Sequence, residues 1–330
     1  MSTLKANKYQ HVDRSSPSIE INSDGTVSIS STVTYEDVTS VDSVGIITAR
    51  EGLYTVAGVG VSIKAGGLTV SAGVVTVTDG YIDASDSVRN TRLGTNAGDA
   101  FSGTDATDNT LIGYDAGTEI TTGDNNTAVG SYALDANTTG SENTALGKSA
   151  LGNNTTASHN TAIGREALLA NTTGAYNTAV GKNALKANTT ASYNTSVGYE
   201  ALKVNTTGAE NCAFGFETLD ANSTGSNNTA YGSNALTANT TASNNTAVGK
   251  SALAANTTGE NNVAIGRNAL TANTTASQNT AVGNYALDTC TTGHENVAIG
   301  YYAMKDCTTA DYCTAVGEQC MESITTGTRN

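Results

Sequence analysis

The sequence has no tryptophan, one proline (Pro17) and only three phenylalanines in 330 residues. An enzyme of this length normally fills a thick core with aromatic side chains. Here the apolar supply is mostly Ala, Val and Leu, which suits a core one or two side chains deep. Charged residues make up only 14%, which separates the chain from highly charged disordered proteins. No apolar run approaches the ~18 residues needed to span a bilayer. The opening MSTLKANKYQHVDRSSPSIEI lacks the apolar stretch of a secretory signal, so synthesis in the cytoplasm without a signal peptide is expected. Basic residues are also few, 16 against 30 acidic ones, for a formal charge of −14. The imbalance is spread along the chain, with 13 acidic and 7 basic residues in 1–108 and 17 and 9 in 109–330. With no basic patch to neutralise phosphates, nucleic acid and anionic membranes are poor partners, and membrane insertion is not expected.

Catalytic motifs are missing as well. The three histidines, His11, His159 and His294, lie far apart, and no HExxH, GxSxG, Walker loop or paired-carboxylate pattern occurs. The glycine-rich segments lack GxxxxGK[ST], and the acidic residues lack the GGxGxD pattern of calcium-binding repeats. No catalytic residue, cofactor or metal site is therefore predicted, and the chain does not read as an enzyme.

What is present is a repeat. Asn recurs every 17 residues from Asn109 to Asn296, and Cys313 takes the next place, making 13 units over 109–329. A looser 19-residue unit begins at Asn90. The unit reads N-T-A-V-G-x-x-A-L-x-x-N-T-T-(G/A)-x-x, and its residues are numbered 1 to 17 below. Seventeen residues are too few for paired helices, and Asn, Thr and Gly are weak helix formers. The period suits one coil of a parallel β-solenoid, with coils about 4.8 Å apart and short strands at N-T-A-V-G and near A-L. Stacking would align the position 1 asparagines into a coil-to-coil amide ladder. A second ladder, Asn137 to Asn273 at position 12, would satisfy the backbone of the T-T-(G/A) corner.

Strand alternation gives the faces. The Val129, Leu146, Ile163, Val180 column at position 4 is the bulkiest in the strand and is expected to point inward against the position 9 leucines. Positions 3 and 5 would then face outward, as Ala128, Gly130, Ala145, Gly147, Ala162, Gly164, Ala179 and Gly181. Glycine alone could mark a strand-end bend. Alanine beside it is better explained by close approach of another chain, so this column is the expected trimer interface. Tyr176 and Tyr193 stack at position 17, while Tyr199, Phe216, Tyr301 and Tyr302 occupy positions 6 and 7. Such rings could contact carbohydrate or cover the rim of an interface. Cys290 and Cys307 stand 17 apart in place of the second-ladder Asn, within disulfide reach. The alternative is two reduced thiols filling a corner.

Before the repeat, residues 1–44 contain a hairpin candidate, SIEI-NSDG-TVSIS, turning at Asp24-Gly25. Residues 45–89 alternate short Val/Ile/Leu strands with AGG, SAG and DG turns, and would need interleaved copies, β-prism fashion, to gain a core. The reading is thus an N-terminal segment 1–44, a short-strand region 45–89 and a solenoid shaft 90–330.

NTAVGKNAL, NVAIGRNAL and NTAVGKSAL resemble the head repeats of trimeric autotransporter adhesins. That resemblance implies a left-handed parallel β-roll with three chains about one axis, although the unit here is longer than the head repeat. MSTLKAN, SVDSVGIITAREGL and the NTT-rich NTAVG array resemble fibre-like structural proteins of tailed phages, cyanophages in particular. This second resemblance implies a virion component, a homotrimeric tail fibre or similar appendage. Its N-terminal region would dock to another virion protein, and its shaft would space or present a host-attachment surface, with cell-surface carbohydrate a candidate partner. A secreted trimeric adhesin is one alternative. An ice-binding solenoid is another, disfavoured because adjacent Thr in N-T-T point to opposite faces.

Overall fold

The computed structural model describes residues 19–21, 27–29, 88–101 and 105–329. The chain forms two compact units, Met1–Thr76 and Val77–Asn330. In the first, β1 (Ile19–Ile21) pairs antiparallel with β2 (Val27–Ile29), Ile19 opposite Ile29. These are the two strands of the expected hairpin. Its turn, the rest of the 1–44 segment and residues 45–87 lie outside the described residues.

The second unit is a parallel β-solenoid. Fourteen strands, β3 (Thr91–Leu93), β4 (Thr110–Ile112), β5 (Thr127–Val129) and onward to β16 (Thr314–Val316), form one sheet in strict chain order. Neighbours pair without slippage: Thr127 lies beside Thr144, Ala128 beside Ala145 and Val129 beside Leu146. Among the described residues there is no helix.

Each strand is only three residues long, positions 2 to 4 of the unit, because the Gly at position 5 ends it. Gly130 has φ of 135°, a conformation that L side chains rarely adopt, and a Cβ there would lie 2.7 Å from the backbone carbon of Gly147 in the next coil. Glycine is thus required by backbone strain and by contact between coils of the same chain. The stretch from position 6 to position 11 is a turn, which corrects the second strand expected near A-L. Leu134 there has φ of 54°, and the leucines at this position down to Leu287 share that left-handed backbone. The side chain still points inward, and these ten leucines are fully buried.

The expected faces are reversed. Ala128, Ala145, Ala162 and Ala179 are wholly buried, whereas Leu146 is 45% and Ile163 37% exposed. The physical reason is the position 1 asparagine. Its amide is buried and bonded inside the coil, so alternation sends positions 1 and 3 inward and positions 2 and 4 outward. The core is therefore built from Ala at positions 3 and 8, Leu at 9 and Asn at 1 and 12. Small side chains at position 3 reflect a narrow interior. In the coil starting at Asn109, Leu111 replaces that alanine and Gly117 replaces the leucine; a Cβ on Gly117 would lie 2.8 Å from a Leu111 methyl. One volume is exchanged for the other.

The left-handed position 9 explains why Leu, and Met at 304 and 321, occur there but never Val or Ile. A β-branched side chain clashes with that backbone conformation. Replacing Leu202 by Val should cost about 2–3 kcal/mol, the sum of a lost methylene and left-handed strain. Leu202→Met should cost under ~1.5 kcal/mol. Urea unfolding of the two variants, compared with the unchanged chain, checks the order.

Candidate functional site

Four columns of hydrogen bonds run from coil to coil, broken at position 12 by Ile120 and at position 16 by Ala175 and Ala209. At position 1 the backbone N–H of Asn126 donates to Oδ1 of Asn109 at 2.9 Å, while its Nδ2 donates to the carbonyl of Gly140 at 3.0 Å. At position 12 the amides bond to each other: Asn154 Nδ2 donates to Asn137 Oδ1 at 2.8 Å and also to the Ala157 carbonyl at 2.9 Å. Both ladders follow the sequence expectation. Two more were not read from the sequence. The position 13 hydroxyls donate to the carbonyl of position 13 in the next coil, as Thr138 does to Thr155 at 3.0 Å. Position 16 side chains accept from the backbone of the preceding coil; the N–H of Ser141 donates to Ser158 Oγ at 3.0 Å. The recurrence of Ser at 141, 158, 192, 226, 243 and 277 was the available signal.

The second ladder changes hands at its C-terminal end. Cys290 takes the place of the next Asn, and Asn273 Oδ1 is left buried without a hydrogen-bond donor. Cys290 and Cys307 stack as buried free thiols with their sulfurs 3.9 Å apart. Contact with the Cys307 thiol and burial push the Cys290 thiol up, which keeps it protonated and slow in thiol chemistry.

The outer surface carries the candidate site. Positions 2 and 4 of fourteen strands present a column that is Thr except at Cys212, Val263 and Val297, beside a column of large side chains from Leu93 to Val316. Leu146, Ile265 and Ile299 are 40–45% exposed, and Val316 64%. Phe214 and Tyr231, the only aromatics in the column, stack with ring centroids 5.7 Å apart near the middle of the sheet. Fourteen strands span about 60 Å and three residues about 10 Å, so the strip covers roughly 600 Å². Half of that width belongs to the Thr column, so the apolar share is about 300 Å², within the range that an ordinary monomer carries.

The expected trimer interface is corrected accordingly. Ala128, Ala145, Ala162 and Ala179 lie in the core of their own chain, and Gly130, Gly147, Gly164 and Gly181 stack backbone on backbone within it. On the sheet, the side chains left outward are those of positions 2 and 4.

The aromatic residues separate into groups. His159, Tyr176 and Tyr193 stack at position 17, nearly parallel, with centroids 4.7 and 5.2 Å apart. Tyr199 and Phe216 stack 5.4 Å apart at position 6, with the Lys182 ammonium 5.4 Å from the Tyr199 ring. Tyr301 and Tyr302 form a third pair, tilted by 44°. In the first two stacks the rings cover each other's faces, so edges rather than faces point outward. A sugar ring packs on a face, and the six rings do not converge on one platform.

Ion pairs are confined to the surface. Glu200 is drawn down to about 2 by the Lys203 ammonium, 2.8 Å away, and by the Asn183 amide. A shallow open depression of about 340 Å³ lies between Leu169, Lys186 and Val204, with no converging polar groups. Among the described residues no cluster of His, Cys, Asp and Glu could hold a metal ion, and no helix is long and apolar enough to cross a membrane. The chain matches no protein-family model, no curated protein and no solved structure.

Cys290→Asn should stabilise the solenoid by about 1 kcal/mol, because the new amide gives Asn273 Oδ1 its donor. A rise in the urea midpoint checks this; a fall would mean that the corner is too tight for the amide. Glu200 contributes stability that is complete above its unfolded pKa, near 4.5, and is lost as pH falls towards 2. Screened by solvent, that contribution is about 1 kcal/mol. Glu200→Gln should therefore lower the melting temperature at pH 7 and lower it by much less at pH 2, where the folded carboxylate is about half protonated.

Proposed function

We propose that the chain is a structural protein of a virion, a homotrimeric tail fibre or other fibrous appendage that spaces or presents a host-attachment surface. The observation that carries the assembly is the continuous column of large Val, Ile, Leu, Phe and Tyr side chains on the outside of the sheet. Exposed apolar strips of this size lower their free energy by leaving water, at about 25 cal/mol per Å². Together with its flanking residues, the strip approaches the ~800 Å² per partner of a stable interface. Phe214 and Tyr231 supply the bulky anchors that such interfaces favour. The virion assignment rests on the resemblance of MSTLKAN, SVDSVGIITAREGL and the NTAVG array to phage fibre-like proteins. Docking to another virion protein belongs, in this reading, to the N-terminal region. Contact with host carbohydrate would fall to ring edges and hydroxyls of the aromatic stacks.

One observation favours a second reading. The outward Thr column at position 2, repeated at strand spacing beside Val and Ile, also suits an ice-binding surface. Phe214 and Tyr231 break the flatness that a lattice match requires, which is why assembly is preferred. The two readings exclude each other, since a trimer buries the Thr face.

Light scattering on the full chain should give a mass of three chains. Val180→Lys with Val197→Lys, both outside the core, should yield folded monomers. A wild-type monomer with thermal hysteresis would replace assembly by ice binding.

A further inference from the structure

The Thr/Val face is electrically asymmetric across its width. Position 6, just past the C-terminal end of each strand, carries Lys148, Arg165, Lys182, Lys250 and Arg267, all exposed. Positions 16 and 17, just before the N-terminal end, carry Asp124, Glu142, Glu210, Glu260, Glu295 and Asp311. Apart from Glu318 at position 6 and Arg329 at position 17, one edge is basic and the other acidic, in a chain whose overall charge is −14. Lys148, Lys250, Arg267 and the Glu260 carboxylate have no ion-pair partner among the described residues. The Glu142 carboxylate meets only His159, at 3.2 Å. No ion pair inside the solenoid accounts for Lys148, Lys250, Arg267 and Glu260. Asp124 and Asp311, by contrast, accept the backbone N–H groups of Thr107 and His294 in the preceding coil, both at 2.7 Å, and Arg165 pairs with Glu166.

We propose that these edges make copies of the chain associate in parallel and in register, the basic edge of one face against the acidic edge of the next. The inference rests on the assembly reading above and adds its polarity. A rotation axis parallel to the solenoid carries the basic edge of one copy to the acidic edge of its neighbour, a heterologous contact that closes into a ring. Glu142 and Lys148 flank the same strand, β6 (Thr144–Leu146), and Glu260 and Arg267 flank β13 (Val263–Ile265). In register, Glu142 and Glu260 therefore each meet a cation of the neighbour at their own level. A two-fold axis across the solenoid does the opposite. It sets β6 against β13, and β7 (Thr161–Ile163) against β12 (Thr246–Val248), when the fourteen strands are centred on each other. Lys148 then faces Arg267, Arg165 faces Lys250 and Glu142 faces Glu260. The apolar column is indifferent to direction, so the charges decide it. Like charges placed together suppress the wrong arrangement as opposite charges favour the right one.

The test is a charge exchange in the full chain, on exposed residues outside the core. Lys148→Glu with Arg267→Glu places acid against acid in the parallel arrangement. It should raise the concentration for half-dissociation about tenfold in low salt, and by less in 0.5 M salt. Adding Glu142→Lys and Glu260→Lys should restore the original value to within about twofold. An antiparallel pair keeps like facing like throughout and should not respond in that pattern. A second measurement uses spin labels on Glu318→Cys, with Cys212→Thr and Cys320→Ala removing the accessible native thiols. Labels within about 30 Å of each other support parallel copies; a separation of about 60 Å, the length of fourteen strands, overturns them. A trimer indifferent to the charge exchange removes this inference alone. A wild-type monomer removes the assembly reading and this inference together.

Discussion

A buried amide at position 1 of every coil is the constraint on which the rest depends. Asn126 inside the coil needs partners for its Oδ1 and Nδ2, and it finds them in the next coil's backbone and at the Gly140 carbonyl. Leaving such a group unbonded costs about 1–3 kcal/mol, so the geometry that satisfies it recurs without slippage. From that follow the period of 17, the inward alanine at position 3 and the outward pair at positions 2 and 4. The glycine at position 5 follows too, because the coils stack closely enough to leave no room for a Cβ.

Much of this was legible in the sequence. The period, the parallel stacking, both asparagine ladders and the inward leucines could be read directly, because repetition reports the average environment of a position many times over. The faces of the strand were misread for a physical reason. Size suggested that Val129 should be buried and Ala128 exposed, as in a thick core. The interior here is so narrow that only alanine, or serine at Ser196, fits opposite leucine, and the larger side chains remain outside. Two clues could have corrected the reading: asparagine shares the parity of alanine, and Leu111 appears at position 3 only where Gly117 vacates position 9. The turn around Leu134 was hidden because leucine is a rare choice for a left-handed backbone.

The reversal moves any assembly from a column of small residues to one of large residues. Close backbone approach no longer matters between chains; apolar area does. The bulky pair Phe214 and Tyr231 and the oppositely charged edges are then parts of one surface, although none of them stands out in a single unit. Position 6 varies from coil to coil, as a solvated site would. Its sign becomes informative only beside that of positions 16 and 17.

The ladders also have a mechanical side. A pull along the solenoid axis is shared within each coil by many parallel hydrogen bonds, but from coil to coil the load passes in series. Such a structure is no stronger than its weakest junction. That junction lies between the coils of Asn273 and Cys290, where one acceptor has no donor; at the next, Cys290 and Cys307, a thiol contact replaces the amide bond. Under tension the solenoid should part there first, leaving the ten 17-residue coils before it intact from Asn109 to Gln278.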